Sequence, residues 1–373
     1  MEDGFLDQYS ASNDAGIGTV YSCRYSKQKK LVQNTDFLSS SACISNGKIQ
    51  LYGIFSGFNG GDATAKFVMN RMVYEIFQDD PVTASASSKQ KFLNVAERYL
   101  VMNTDLLNER LLKLDDSSDN GNFSVSEINQ KIRQGTTALI VLKINKDLYV
   151  VNCGCSLALA ITNENAVPLN FNLHNKDNEL EKTRIKSLGI DPSFVLNPTR
   201  AIGDLQRTHL YEEFEDFKSA TGPPVISTPD VQHFCIDDSW QHIVLLSDGV
   251  LQNLKEVEVD DIPTEVFVRL SEDHTLTSTA QALADSFARK HLDAFLTMQN
   301  DTNCCISNKR EEMTVIYVKL SRKNHILYET FDSAISTLET TPTPVCGHIS
   351  IPYVDANVSK GNNYKKMKKL TLI

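Results

Sequence analysis

The sequence predicts an α+β domain in which packed antiparallel sheets carry helices on their outer faces. Strand-like runs outnumber helix-like ones. Two of those runs are joined as a hairpin, which argues for antiparallel pairing. The helical segments are amphipathic, each with a single apolar stripe to bury.

The elements follow in chain order. Residues 49–55 form a short β run. Behind Gly60 and Gly61, with Asp62 as the expected N-cap, Ala65, Val68, Met69, Met72, Val73, Ile76 and Phe77 share one helical face. From about Lys89, the set Phe92, Ala96, Leu100, Leu107 and Leu111 predicts one longer helix. Residues 138–144, a turn at Asn145-Lys146-Asp147, and residues 148–153 read as the hairpin. Residues 157–161, 243–246 and 313–320 are further strands, with a helix near 278–296.

Composition bounds the function. With 373 residues, 41% apolar and 23% charged, the chain is neither collagen-like nor wholly disordered. A formal net charge of −10 argues against a protein that binds nucleic acid by neutralising phosphates. The acidic start MEDGFLDQYS has no apolar signal core. The greasiest stretch, 138–161, is interrupted by Lys143, Lys146 and Asp147, so no membrane span is expected. The eight cysteines form no CxxC pair and are read as reduced thiols. The expected setting is the cytoplasm, with the nucleus as a second site. The organisation is an N-terminal arm (1–14), one domain (15–322) with a variable loop near 115–134, and a flexible tail (323–373).

Six motifs then carry a resemblance. Tyr52-Gly-Ile-Phe-Ser-Gly-Phe-Asn-Gly60 resembles the FGVFDGHGG signature of the metal-dependent, type 2C Ser/Thr protein phosphatases. Gly135-Thr-Thr-Ala138 resembles their GSTA, and Val151-Asn-Cys-Gly-Cys-Ser156 their ANxGDS. Thr199-Arg-Ala-Ile-Gly-Asp204 resembles SRALGD, Leu246-Ser-Asp-Gly249 resembles ACDG, and Glu311-Glu-Met-Thr314 resembles DNMS. All six stand in family order over roughly residues 15–320, which makes the resemblance strong. It implies a four-layer αββα sandwich of two mainly antiparallel sheets flanked by helices.

The family's chemistry needs hard divalent cations held by carboxylates, with a bridging water as nucleophile. Most positions that should supply those carboxylates are changed. The metal-bridging Asp is Ser56, followed by Gly57, and the His beyond it is Phe58. The Asp of GDS is Cys155, and the second Asp after ACDG is Gln252. Asp248 remains, and Glu311 stands for an Asp. Asp36 is the nearest acid to a missing N-terminal Glu-Asp motif. A hydroxyl, a thiol and an amide carry no charge to offset dehydration of a cation, so neither metal, cofactor nor catalytic residue is expected in this vestigial cleft.

The pattern resembles a catalytically silent branch of the family, the pseudophosphatase adaptors. The resemblance implies a partner: a MAP kinase kinase kinase of the transforming-growth-factor-β-activated type, bound and activated in stress or cytokine signalling. Pro352, Tyr353, Val354 and Asp355 match the start of that branch's kinase-docking segment, while Gly361 interrupts the helix that should follow. Two other readings stay open: a residual Mn- or Mg-dependent phosphatase using Asp248, Glu311 and Asp36, and a phosphopeptide-binding module using Arg24 or Arg200. Arg200 has a plainer reading as the partner of an internal acid. His174 is read as structural, for want of an orienting carboxylate, and Cys155 as an unreactive thiol. Residues 116–127 fit an EF-hand template, with Asp116, Ser118, Asn120, Gly121 and Glu127 at the liganding or turn positions. The sequence contains no second loop to pair with it, so a solvated loop is expected.

Overall fold

Alternating apolar residues along the central strands divide between two opposite faces, and this division builds the architecture. The computed structural model describes residues 9–25, 31–33, 39–115, 122–270, 275–298 and 306–320. One sheet orders its strands β1 (Ser10–Ala11), β5 (Ser39–Ser45), β6 (Gln50–Phe58), β7 (Gly135–Ile144), β8 (Asp147–Cys153) and β12 (Asp230–Cys235), with β11 (Ile202–Gly203) beside β7. The second orders β10 (Ala166–Pro168), β9 (Leu157–Ile161), β13 (His242–Leu246), β15 (Met313–Lys319) and β2 (Ala15–Val20). A small third sheet joins β14 (Lys309–Arg310), β3 (Cys23–Tyr25) and β4 (Leu31–Gln33). The ladders are antiparallel throughout.

Even-numbered Tyr52 and Ile54 of β6, with Leu139 and Val141 of β7, face Ala158, Ala160, Ile243, Leu245, Ile316 and Val318 of the second sheet. The odd-numbered residues of β6 and the even-numbered ones of β7 point the other way. There they meet α1 (Asp62–Phe77), α2 (Pro81–Ala86), α3 (Ser88–Met102), α4 (Thr104–Asp115) and α5 (Asn122–Ile132). The opposite face of the second sheet packs on α8 (Asp248–Glu256), α9 (Ile262–Arg269) and α10 (Leu276–Met298). The result is the αββα sandwich that the resemblance implied. Strands buried on both faces explain why the sequence shows continuous apolar runs there rather than strict alternation with polar residues. A separate small cluster of Ile185, Ile190, Val195 and Phe217 forms around α6 (Glu179–Ser187). The short α7 (Leu205–Thr208) returns the chain to the first core through Leu205.

Three expectations are corrected. Gly61, not Asp62, caps α1; Asp62 opens the helix, where its charge opposes the positive helix end. The long helix expected from Lys89 is two, α3 and α4. Asn103 turns its side-chain amide back onto the Tyr99 carbonyl (2.8 Å), closing α3 before α4 starts at Thr104. The restart turns Leu111 to solvent and brings Arg110 inward, where it pairs with Glu213 at 2.6 Å. The variable loop near 115–134 contains α5, anchored one turn apart by Ile128 and Ile132. Glu127 of the EF-hand template therefore lies on a helix, and residues 116–121 lie outside the described residues.

Candidate functional site

The ladder of β6 and β7 carries the first of the positions where the resemblance places the cleft. Ser56 stands opposite Thr137, and Gly57 opposite Thr136. Both the Ser56 and Thr137 hydroxyl oxygens are buried and make no hydrogen bond among the described residues. The Phe58 ring packs over Gly135: a Cβ there would lie 2.5 Å from it. An apolar ring thus sits where the resemblance expects an ionisable imidazole. On the other side of β6, Ser39 of β5 donates its N–H to Glu312 (3.0 Å), reaching the segment that carries Glu311.

The segments that carry Asp248 and Glu311 come together because α8 is fastened to the start of β15. Ser247 and Thr314 exchange two hydrogen bonds at 2.9 and 3.0 Å. Buried Asn253 donates to the carbonyls of Gly249 (2.6 Å) and Glu311 (3.1 Å), and accepts the Glu311 N–H (3.0 Å). Gly249 permits this closeness, since a Cβ there would fall 1.9 Å from the Glu312 carbonyl oxygen. Burial pushes the Asp248 carboxyl up to about 6, and the neighbouring Glu311 charge adds to the rise. Glu311 is itself taken by Lys309, whose ammonium donates to both carboxylate oxygens at 2.7 and 2.8 Å. Lys309 lies opposite exposed Arg24 in the β14–β3 register. Gln252 is exposed on α8.

Below this pair lies a buried polar network. The Cys155 thiol donates to the His174 carbonyl at 3.3 Å. Burial first, then the Asp248 charge, holds that thiol protonated. His174 is fully buried. Its Nδ1 accepts the Gly154 N–H (3.0 Å), so the ring is neutral and donates from Nε2 to Asp230 (3.1 Å). Burial pulls its pKa down, which the Asp230 hydrogen bond does not reverse. The orienting carboxylate that the sequence reading lacked is therefore Asp230, but both ring nitrogens are spent inside the fold. Arg200 clamps Glu181 (2.6 and 2.9 Å) and Asp230 (2.9 Å). It is the partner of internal acids, and its guanidinium is not offered to a phosphate.

Glu181 comes from the first turn of α6. The α6 N-cap, Asn178, accepts from Leu180 and Glu181 N–H. Asn178→Ala is expected to cost about 1 kcal/mol in chemical denaturation, the usual worth of such a cap.

The chemistry of these donors does not fit a pair of hard divalent cations. Ser56 offers a neutral hydroxyl, Cys155 a protonated thiol turned to a carbonyl, and Gln252 an exposed amide. A lysine already neutralises Glu311. Among the described residues, no three His, Cys, Asp or Glu side chains of the cleft bring ligand atoms within 4.8 Å of one another. Asp36 and the segment Pro352, Tyr353, Val354 and Asp355 lie outside the described residues. Lys309, Asn253 and Glu181 were missed by sequence reasoning. Lys309 alone had a visible signal, standing two residues before Glu311.

Comparison with known proteins agrees with the fold. The family model "Protein phosphatase 2C" matches residues 18–293. A Caenorhabditis elegans protein named "TGF-beta-activated kinase 1 and MAP3K7-binding protein 1" is 69% identical over 380 residues, covering 100% of this chain and 98% of its own. "Probable protein phosphatase 2C 43" of Arabidopsis thaliana is 27% identical over 221 residues, 58% of this chain and 48% of its own. The solved structure of a C. elegans sex-determining protein shares the fold at a TM-score of 0.52 and 15% identity, over 83% of this chain and 65% of that one. By the match of the family model over most of its length and the near-complete alignment with the first of these relatives, the chain belongs to the protein phosphatase 2C family.

Proposed function

We propose that this chain is a non-catalytic adaptor that binds a MAP kinase kinase kinase in the cytoplasm and promotes its activation. The observation that carries the partner is the 69% identity, end to end, with a relative named for binding that kinase. The cleft supports the non-catalytic part: the positions that would hold metal carry a hydroxyl, a thiol and an amide, and of the two carboxyls left, Asp248 and Glu311, the second is paired with Lys309. An adaptor of this kind acts by raising the kinase's local concentration and by favouring its active conformer. Pro352, Tyr353, Val354 and Asp355 are the proposed docking segment.

The test is a pull-down of the kinase with the full chain and with a 1–340 truncation, reading phosphorylation of the kinase activation loop in the same samples. Full-length protein is expected to bind and activate, and the truncation to lose both. Binding that survives truncation moves the docking surface to the folded domain. Binding by neither form removes the partner. A second reading, weak metal-dependent phosphatase activity, draws on the closeness of Asp248 and Glu311. It predicts turnover of p-nitrophenyl phosphate at millimolar Mn²⁺ that Asp248→Asn abolishes; the adaptor reading predicts none.

A further inference from the structure

Register brings three metal-ligating side chains together at the outer edge of the first sheet, on strands β8 and β12. His233 and Cys235 are two residues apart on β12, so they share a face, and both are exposed. Asp147 of β8 stands directly opposite Cys235, and Tyr149 opposite His233. The His233 ring lies against the Tyr149 ring, centroids 4.5 Å apart and planes 18° from parallel. That stack fixes the ring while Nε2 meets Asp147 Oδ1 at 2.7 Å. The pairing continues past the three residues, because the Ile236 N–H donates to the Lys146 carbonyl at 2.7 Å. The cluster therefore sits within a closed segment of ladder. An imidazole nitrogen, a sulfur and a carboxylate oxygen all lie within 4.8 Å of one another. Tetrahedral binding needs ligand atoms about 3.5 Å apart, from bond lengths of about 2.0–2.3 Å. Small side-chain rotations supply the difference.

We propose that Asp147, His233 and Cys235 form a binding site for a borderline-soft divalent cation of the zinc class, with water as the fourth ligand. The donor set decides the class. Thiolate and imidazole favour zinc, cobalt or copper, whereas Mg²⁺, Mn²⁺ and Ca²⁺ prefer all-oxygen shells. The site is thus chemically distinct from the cleft and stands apart from the adaptor reading. On binding, the cation takes the Nε2 lone pair of a neutral His233 ring whose single proton sits on Nδ1; the proton that lay between Nε2 and Asp147 moves to Nδ1 through solvent, or leaves to solvent where the ring carried both. The Cys235 thiol gives its proton to solvent as the metal–sulfur bond forms.

The experiment titrates the reduced full-length protein with Co²⁺ and follows its absorption. One equivalent is expected to bring visible bands of tetrahedral intensity and a near-ultraviolet thiolate-to-cobalt band, both bleached by Zn²⁺ and unaffected by excess Mg²⁺. Cys235→Ser should abolish the near-ultraviolet band. Asp147→Asn and His233→Gln each remove a direct ligand and should weaken cobalt binding by at least the about 10–100-fold that loss of an outer-shell partner alone costs. On the unmodified protein, Zn²⁺ should protect Cys235 from iodoacetamide, read residue by residue by mass spectrometry; this arm needs no variant to fold. A band that persists in Cys235→Ser places the metal on other cysteines and overturns the proposal. Absence of any band at millimolar Co²⁺, or alkylation of Cys235 unchanged by Zn²⁺, overturns it equally.

Discussion

Glu181→Ala is expected to destabilise the domain by about 3–5 kcal/mol, the largest loss of any single change considered. The Glu181 side chain is only 2% exposed and answers two guanidiniums at once. One oxygen takes Arg200; the other takes Arg184 and the Thr199 hydroxyl at 2.7 Å. Arg184 goes on to the Pro224 carbonyl (2.8 Å), and Arg200 to Asp230. Removing the carboxylate leaves two positive charges in the interior with too few acceptors. Glu181→Gln, which keeps the shape and one acceptor, should lose less. Urea denaturation ranks the variants. Amide exchange of α6 checks the mechanism, since protection there should fall before that of β7. Equal stability of Glu181→Ala and the wild type would mean that the network is solvated and contributes little.

The same carboxyl sets a pH dependence. Burial alone would raise it, but Arg200 and Arg184 outweigh burial and hold it below the ordinary 4.5. Its folded pKa lies below its unfolded one. The contribution is therefore present above about pH 4.5 and is lost as the pH falls through the depressed folded value. Acid destabilisation over that window should be shallower in Glu181→Gln than in the wild type.

Asp248→Asn should act in the opposite direction, stabilising the protein by about 1–3 kcal/mol near neutral pH. Here burial and Glu311 raise the carboxyl from 3.8 to about 6. A folded pKa above the unfolded one means the favourable state is the protonated one. It is fully present below 3.8 and lost as the pH rises through about 6. The stabilities of wild type and variant should therefore coincide at the acid end, diverge between those values, and run parallel above them. Thermal unfolding at about pH 4 and about pH 7.5, without added divalent ions, measures both ends. A destabilised variant at neutral pH would show that the ionised carboxylate makes a favourable contact in the fold. A residue retained at such a cost fits a cleft inherited from a metal-binding family, where an added cation would remove the penalty.

Local pattern made much of the fold legible. The apolar runs at 138–144, 157–161 and 243–246 became β7, β9 and β13 because their residues are short, β-branched or aliphatic, and bounded by turns. The stripe from Ala65 to Phe77 became α1 because its apolar residues recur at helical spacing and bury one face. Helix ends were less legible. Gly61 displaced Asp62 as a cap, and Asn103 broke a helix whose apolar spacing runs straight across it. Both turn on which hydrogen bond a short polar side chain or a backbone amide makes, and periodicity carries no information about that choice.

The candidate site divides in the same way. Ser56, Phe58, Cys155, Asp248 and Glu311 could be picked out because each stands inside a recognisable motif. From residue type alone, the sequence determined acid-poor metal positions, the six motifs that carry them, and the order of the central strands and of the helices α1 and α10. Only the tertiary structure decided that Lys309 neutralises Glu311, that Asp230 orients His174, and that Asp147 meets His233 and Cys235. Those partners lie 2, 56 and 86–88 positions apart along the chain. Whether they touch depends on strand register and side-chain direction. A shift of one residue in register would send every such side chain to the opposite face of the sheet.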